Sequence, residues 1–513
     1  MKHVFYTAII VFITNLGFAQ TKVTLNTDST GTKISKHIYG HFAEHLGRCI
    51  YDGIYVGDNS KVSNTDGVRN DIIEALKKLN IPNLRWPGGC FADTYHWKLA
   101  IGPKENRKPI ENMSWGNVRE TNAFGTHEFL NLCETLGAEP YLAVNMNSGS
   151  VEEAAEWVQY VNHKNNSSYL TDLREKNGRQ QPWDVKFWGI GNESWDCGGD
   201  MTAEYYVNLY NRYARGITSY DNSEKLYRIA VGPGHSGQYP WMETVMKNIP
   251  LKNLEGVSIH HYSVIDWADK KSSFEFTEDH YFTTMKQAWD IDEFISRNKA
   301  IMDKYDPDKK VALIVDEWGG WYETDPSGNG QLYQQNTIRD AMIAGLTLNI
   351  FNNHADRVRM ANLAQTVNVL QAVILTEGEK MILTPTYHVM EMYKVHQDAT
   401  LIPVEVDSEL YSLNDKELPT ISVSASKNEN GNIHISLTNI DSRKNHDVKI
   451  DLGEIKAKNI AAEVLKGNEI QDRNTFDSPE KIKPENFKSF SLKKNILTVN
   501  MPKNSVVVIE LTK

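Results

Sequence analysis

From about Lys36 to Asn368, short β-branched or aromatic runs alternate with amphipathic segments, and the alternation repeats eight times. The strand-like runs are "KHIYGHFAEHL", "IPNLRWPGG", "AEPYLAVNMNSG", "VKFWGIGNE", "YRIAVGPG", "LEGVSIHHYS", "VALIVDEWGG" and "RVRMANLAQTVN". Between them lie segments with apolar spacing near 3.6, such as "GVRNDIIEALKKLN", "VEEAAEWVQYVN" and "TIRDAMIAGLTLNIFNN". Eight strand–helix units close naturally into a parallel (β/α)8 TIM barrel. An open doubly wound sheet is the competing arrangement, but "GPGHSG" at Gly232 to Gly237 lacks the spacing of its phosphate loop.

After about Tyr387 the pattern changes to short strands with period-2 alternation, including "TISVSAS", "NIHISLTNI" and "SVVVIELTK", with Asn430-Gly431 as a hairpin signal. This predicts a C-terminal antiparallel β-sandwich, jelly-roll-like, which the strand-like "TKVTLNTDS" near the N-terminus is placed to join. The expected division is an N-terminal strand segment at 20–36, a catalytic barrel at 37–386 and a sandwich at 387–513. Residues 1–19 read as a signal peptide: Lys2, an apolar run, then Gly17-Phe18-Ala19. The expectation is a secreted or periplasmic protein. The formal net charge of −11 and the lack of clustered Lys and Arg exclude a nucleic-acid or anionic-membrane surface. Four scattered cysteines give no C-x-x-C pair. If a disulfide exists, Cys49 and Cys197 are its expected partners, since both follow barrel strand ends, whereas Cys133 sits on an outer helix.

In a barrel the C-terminal strand ends face the active site. "KFWGIGNE" ends the fourth strand in Glu193, and "VALIVDE" ends the seventh in Glu317. Strands three positions apart in the ring bring their ends together across the mouth. Two facing carboxylates hydrolyse a glycosidic bond when one is protonated and the other ionised. Burial against Trp195 or Trp318, with the neighbouring negative charge, would separate their pKa values. The blander reading is two glutamates in unrelated salt bridges.

The stretches "WGIGNESWDCGG", "VDEWGGWY", "GHFAEHLGRCIYDGIY", "LRWPGGCFADTYHW", "ETNAFGTHEF" and "NLAQTVNVL" together resemble glycoside hydrolase family 51, chiefly α-L-arabinofuranosidases, from about Thr21 to the C-terminus. The resemblance implies exo-acting release of terminal α-L-arabinofuranosyl residues by a retaining mechanism, no cofactor, no metal, a carbohydrate substrate as partner, and a homo-oligomer, since relatives often form hexamers. Carried over by motif, Glu193 is the general acid/base and Glu317 the nucleophile. Asn192 bonds the sugar 2-hydroxyl, Glu44 and Gln365 hold the furanose, and Tyr262 holds the nucleophile. Cys90 stands where some relatives carry a sugar-binding Asn. "SWDCGG" after Glu193 matches one branch of the family, and Trp115 is a candidate to stack on the leaving-group side. Endo-glucanase or β-xylosidase activity occurs on the same scaffold. Two readings compete from other classes: a non-catalytic sugar-binding barrel, and a zinc peptidase using His41, Glu44 and His45 of "HFAEH", an H-x-x-E-H match.

Overall fold

The computed structural model describes residues 20–27, 31–164, 168–219, 225–328 and 330–512. The segment expected to be a signal peptide, 1–19, lies outside the described residues. Among the described residues no helix is long and apolar enough to cross a membrane.

Eight parallel strands close into a barrel: Gly40–Phe42, Asn83–Trp86, Glu139–Val144, Phe187–Ile190, Tyr227–Ala230, Gly256–Ser263, Ala312–Gly320 and Val358–Ala364. The ring closes where Leu363 pairs with His41. Each strand coincides with one of the eight strand-like runs. The seventh, "ALIVDEWGG", is buried along its whole length, as a strand covered on both faces must be. Tyr141, Phe187, Ile229, Ala312, Ile314 and Met360 form a separate apolar cluster contributed by five different strands. Each helix turns its apolar stripe inward. In Asn70–Leu79 the buried residues are Ile72, Ile73, Ala75, Leu76 and Leu79, and Asn80 ends the helix in the left-handed conformation. Ser150 and Thr202 cap the helices Val151–Asn162 and Ala203–Gly216 with their hydroxyls.

Two helices depart from the pattern. Glu278–Tyr305 begins well before the "DEFISRNKAIMDKY" stretch that its periodicity marks. Pro385–Tyr393 spans the expected 386/387 boundary and packs against both Asn70–Leu79 and Ile338–Asn353, so it belongs to the helical ring. Eight of its nine residues are buried, which leaves no amphipathic period to read.

The C-terminal strands form two sheets. One holds Val404–Asp407, Thr21–Leu25, His446–Asp451, Ile496–Met501 and Phe490–Lys493 in that order. The N-terminal strand thus pairs into the sandwich, antiparallel to one neighbour and parallel to the other. The second sheet runs Thr400–Ile402, Ile421–Lys427, Ile433–Asn439, Ser505–Thr512, Asn459–Lys466 and Glu485–Asn486. Gly431, at φ +84°, makes the turn between Ile421–Lys427 and Ile433–Asn439. Val23, Val423, Leu437, Ile450, Val499 and Ile509 meet between the sheets.

The barrel joins the sandwich through Ile338–Asn353, a helix buried on nearly every side. Ser424 donates to Asn349 Oδ1 at 2.7 Å and accepts from Asn352 Nδ2 at 3.1 Å. Gly345 lets the sheet approach: a Cβ there would meet Thr438 Oγ1 at 2.4 Å and Val506 Cγ2 at 3.0 Å. Alanine in a helix interior normally gains about 1 kcal/mol over glycine. Here overpacking, at about 1–3 kcal/mol, outweighs that gain. Gly345→Ala should therefore lower the thermal unfolding midpoint; a raised midpoint would show that the seam yields.

Candidate active site

The C-terminal ends of the barrel strands surround a cavity of about 760 Å³. Glu44, Cys90, Trp115, Glu193, Tyr262, Glu317 and Gln365 all line it. Asn192 sits immediately behind, 2% exposed. The sequence-predicted residues therefore converge on one site, from the first, second, fourth, sixth, seventh and eighth strand ends and one loop.

Glu317 is held from two sides. Arg85 Nη1 donates to Oε1 at 2.8 Å, and the Tyr262 hydroxyl donates to Oε2 at 2.8 Å. Gly89 leaves room for the carboxylate, since a Cβ there would lie 2.8 Å from Glu317 Oε1. Arg85 also donates to Asn192 Oδ1 at 2.6 Å, and its guanidinium lies 4.5 Å from the centre of the Phe42 ring. The backbone turns sharply after the fourth strand, and Glu193 itself has φ +36°, a conformation uncommon outside glycine. Asp93 pins this turn by accepting from the Asn192 amide at 3.0 Å and the Met146 amide at 2.7 Å.

His260 stands between the glutamates. Its Nδ1 is 2.8 Å from Glu193 Oε1 and 3.6 Å from Glu317 Oε2, and its Nε2 is 3.1 Å from Asp316 Oδ1. Burial opposes a charge on this ring, but Glu317, Asp316 and Glu193 outweigh it and push His260 up to about 10. It is an imidazolium whose Nδ1–H is donated to Glu193 and whose Nε2 ion-pairs with Asp316. One oxygen of Glu193, one of Glu317 and one nitrogen of His260 lie within 4.8 Å of one another.

Burial drives the Glu193 carboxyl above the usual range, and the Glu317 charge adds to this, while His260 pulls the other way. Burial also raises Asp316, but Arg85, His260 and Tyr141 more than offset it and hold it below its ordinary value. Glu44 is pushed up to about 7 by burial and by Glu317, against the pull of four donors: the Gly89 and Phe91 amides, Trp115 Nε1 at 2.9 Å and Gln365 Nε2 at 3.0 Å. Trp115 thus touches Glu44 directly.

Three charged groups that contact the two glutamates or each other in this site were missed by the sequence reading: Arg85, Asp316 and His260. His260 was within reach. It lies two residues before Tyr262 in "IHHY", and strand alternation puts both on one face.

The structure corrects the disulfide. Cys90 and Cys197 are bonded, with Cα atoms 5.5 Å apart, while Cys49 and Cys133 are free and buried. Cys49 follows a strand end in sequence but is fully enclosed in the core beneath the loops. Cys90 consequently has no thiol to offer a sugar; it presents a sulfur surface at the rim. The zinc-peptidase reading fails on geometry. His41 lies in a strand with both ring nitrogens buried and unbonded, and His45 is engaged by Glu120 at 2.9 Å and Trp86 Nε1 at 3.1 Å. Among the described residues, the clusters with metal-ligand spacing are Cys90–Glu193–Cys197, whose sulfurs are joined, and Glu193–His260–Glu317, whose imidazole is protonated.

The chain is similar to known proteins along most of its length. Residues 75–281 match the "Alpha-L-arabinofuranosidase 1 domain" and residues 316–505 the "Alpha-L-arabinofuranosidase C-terminal domain". An intracellular exo-α-L-arabinofuranosidase from Bacteroides ovatus is 47% identical over 95% of each chain. The crystal structure of the GH51 arabinofuranosidase from Xanthomonas axonopodis pv. citri superposes with a TM-score of 0.94, at 42% identity, over 96% of this chain and 100% of that one. An α-L-arabinofuranosidase from Thermotoga maritima, solved as an arabinose complex, gives 0.85 at 32% identity, with 96% and 100% covered. The expected export is corrected here. The Bacteroides relative is named as intracellular, which runs against a secreted or periplasmic chain. A lysine followed by an apolar run is a composition, and composition alone does not fix a destination.

The disulfide predicts a thiol count. Denatured, unreduced protein should release two equivalents with a thiol reagent, and four after reduction. Four before reduction would contradict the Cys90–Cys197 bond.

Proposed function

The chain belongs to the glycoside hydrolase family 51 α-L-arabinofuranosidases, and from that premise we propose that it frees terminal α-L-arabinofuranosyl units from arabinose-bearing glycans by two successive displacements. The observation that carries the mechanism is the close approach of Glu193 and Glu317, with facing oxygens inside 4.8 Å. Retention needs carboxyl groups about 5–5.5 Å apart, whereas inversion needs about 6.5–9.5 Å to seat a water.

Glu317 is the nucleophile. Arg85 and Tyr262 orient its two oxygens, and its carboxylate attacks the anomeric carbon. Glu193 is the acid. His260 occupies Oε1, so the proton sits on Oε2 and passes to the leaving oxygen as the glycosidic bond breaks. The β-linked sugar ester on Glu317 is then hydrolysed by water that the Glu193 carboxylate deprotonates. Glu44, Gln365 and Trp115 close the sugar-binding end, and Asn192 faces the 2-hydroxyl. We extend the reading to a homo-oligomer, a hexamer by resemblance, which sedimentation equilibrium measures directly.

Two variants separate the roles. Glu317→Ala should lose on the order of 10⁴-fold in turnover on every substrate. Glu193→Ala should lose about 10²–10⁴-fold on sugar leaving groups but form the glycosyl-enzyme readily from nitrophenyl α-L-arabinofuranoside. Azide needs no deprotonation. It should accelerate Glu193→Ala and give the α-azide after two inversions, while Glu317→Ala would give only the β-azide by direct attack. The opposite assignment of azide products would exchange the two roles.

The pH profile follows from the shift on Glu193. An acid must be protonated, so kcat/KM falls as pH rises through its pKa, and burial places that limb above the ordinary glutamate range. Removing the imidazolium with His260→Gln takes away a charge that holds Glu193 down. The alkaline limb should then move to higher pH while kcat drops. A limb that stayed in place would sever His260 from the acid.

A further inference from the structure

The cavity is larger than one furanose needs. Cavities of about 300–1,000 Å³ hold drug-sized ligands, so about 760 Å³ leaves room for several sugar rings beyond the scissile bond. One of its walls is a run of aromatic side chains leading away from the nucleophile. Tyr262, bonded to Glu317, meets Trp321 edge-on at 5.0 Å, and Trp321 meets Trp267 edge-on at 5.5 Å. Trp267 ends the run in the segment between the sixth barrel strand and Glu278–Tyr305, and it is 60% exposed.

An indole so exposed gains little by burial, yet the backbone turn that carries it is held by hydrogen bonds. Asp266 Oδ1 accepts from the Ala268 amide at 2.8 Å, and the Asp269 amide donates to the Asp266 carbonyl. Lys270 donates to the Trp267 carbonyl, with its ammonium 5.6 Å from the ring centre. The same cavity is lined by Trp195, whose indole N–H is tied to the Gly232 carbonyl at 3.0 Å, and by the exposed Asp196 and His235. An aromatic wall facing polar groups suits a sugar chain, whose C–H faces stack on rings while its hydroxyls find donors and acceptors.

We propose that Trp267, backed by Trp321, is a distal aglycone subsite that binds the second sugar ring beyond the scissile bond and so makes the enzyme selective for oligosaccharide over short leaving groups. The proposal rests on Glu193 and Glu317 flanking that bond. Two aromatic steps outward from Tyr262 place Trp267 past the first leaving-group sugar. That sugar has Trp321 beside it; the next has Trp267.

The test is a chain-length series on wild type and Trp267→Ala. The substrates are linear arabino-oligosaccharides of two to four units, arabinosyl-substituted xylo-oligosaccharides and nitrophenyl α-L-arabinofuranoside. In the wild type kcat/KM should rise when the second aglycone ring is added. Trp267→Ala should lose about five- to tenfold on the longer members of at least one series. The disaccharide and the nitrophenyl substrate should change less than twofold, and Trp267→Phe should recover part of the loss. An equal loss on all substrates would mean that Trp267 merely supports Trp321 and Tyr262, and would overturn the subsite. Unchanged kinetics would overturn it too. If unchanged kinetics came with a smaller sedimenting species, the indole would belong to a contact between copies. Wild-type protein inert on every substrate would instead sink the glycosidase reading itself.

Discussion

The guanidinium of Arg85 is the group around which the catalytic centre is built. It is 1% exposed, and it reaches Glu317, Asn192 and Asp316 at once. A buried charge is tolerated only when it is paired and hydrogen-bonded. Arg85 meets that condition by drawing in the residues that end the fourth and seventh strands, to which the proposed chemistry is assigned. His260, between the two glutamates, is a second buried cation paired in the same way. The two cations are balanced by Asp316 and Glu317, so a third negative charge on Glu193 would be in excess. Burial therefore favours the proton on Glu193. The proposed roles of acid and nucleophile are consistent with this balance of charge in a closed space.

The barrel ladder shifts register across Asp316 and Glu317, so these consecutive carboxylates both reach Arg85 and His260. Asp316 accepts from Tyr141 at 2.7 Å and pairs with His260, while Glu317 faces the cavity. The sandwich lies away from this chemistry. Its contribution is to cover the outer face of the helix Ile338–Asn353, whose other faces pack on the seventh strand and the helices Glu278–Tyr305 and Pro385–Tyr393. The cavity rim is different in character: a disulfide, exposed indoles and polar loops surround a rigid floor.

Much of this was legible in the sequence. The alternation of runs marked all eight barrel strands, and the two strand-end glutamates stood out because an apolar run ending in a carboxylate has few structural reasons to exist. What was not legible had physical causes. Pro385–Tyr393 is buried nearly all round, so it shows no amphipathic period. Arg85 reads as an ordinary charged residue in "LRWPGG" until the structure shows what lies behind it. The choice of Cys90 over Cys49 as partner for Cys197 depends on which strand-end loop folds inward, and no spacing rule reports that. The early start of Glu278–Tyr305 was hidden because "EDHYFTTMKQAW" mixes polar and aromatic residues without a clean stripe.

The central claim is that Glu193 and Glu317 act as a retaining pair. Proton NMR of the first-formed sugar from an α-L-arabinofuranoside, read before the anomers equilibrate, tests it without any variant. The account predicts that α-L-arabinofuranose appears first and the β-anomer grows in later. If the β-anomer appeared first, water would be attacking directly, and the double displacement through Glu317 would be contradicted.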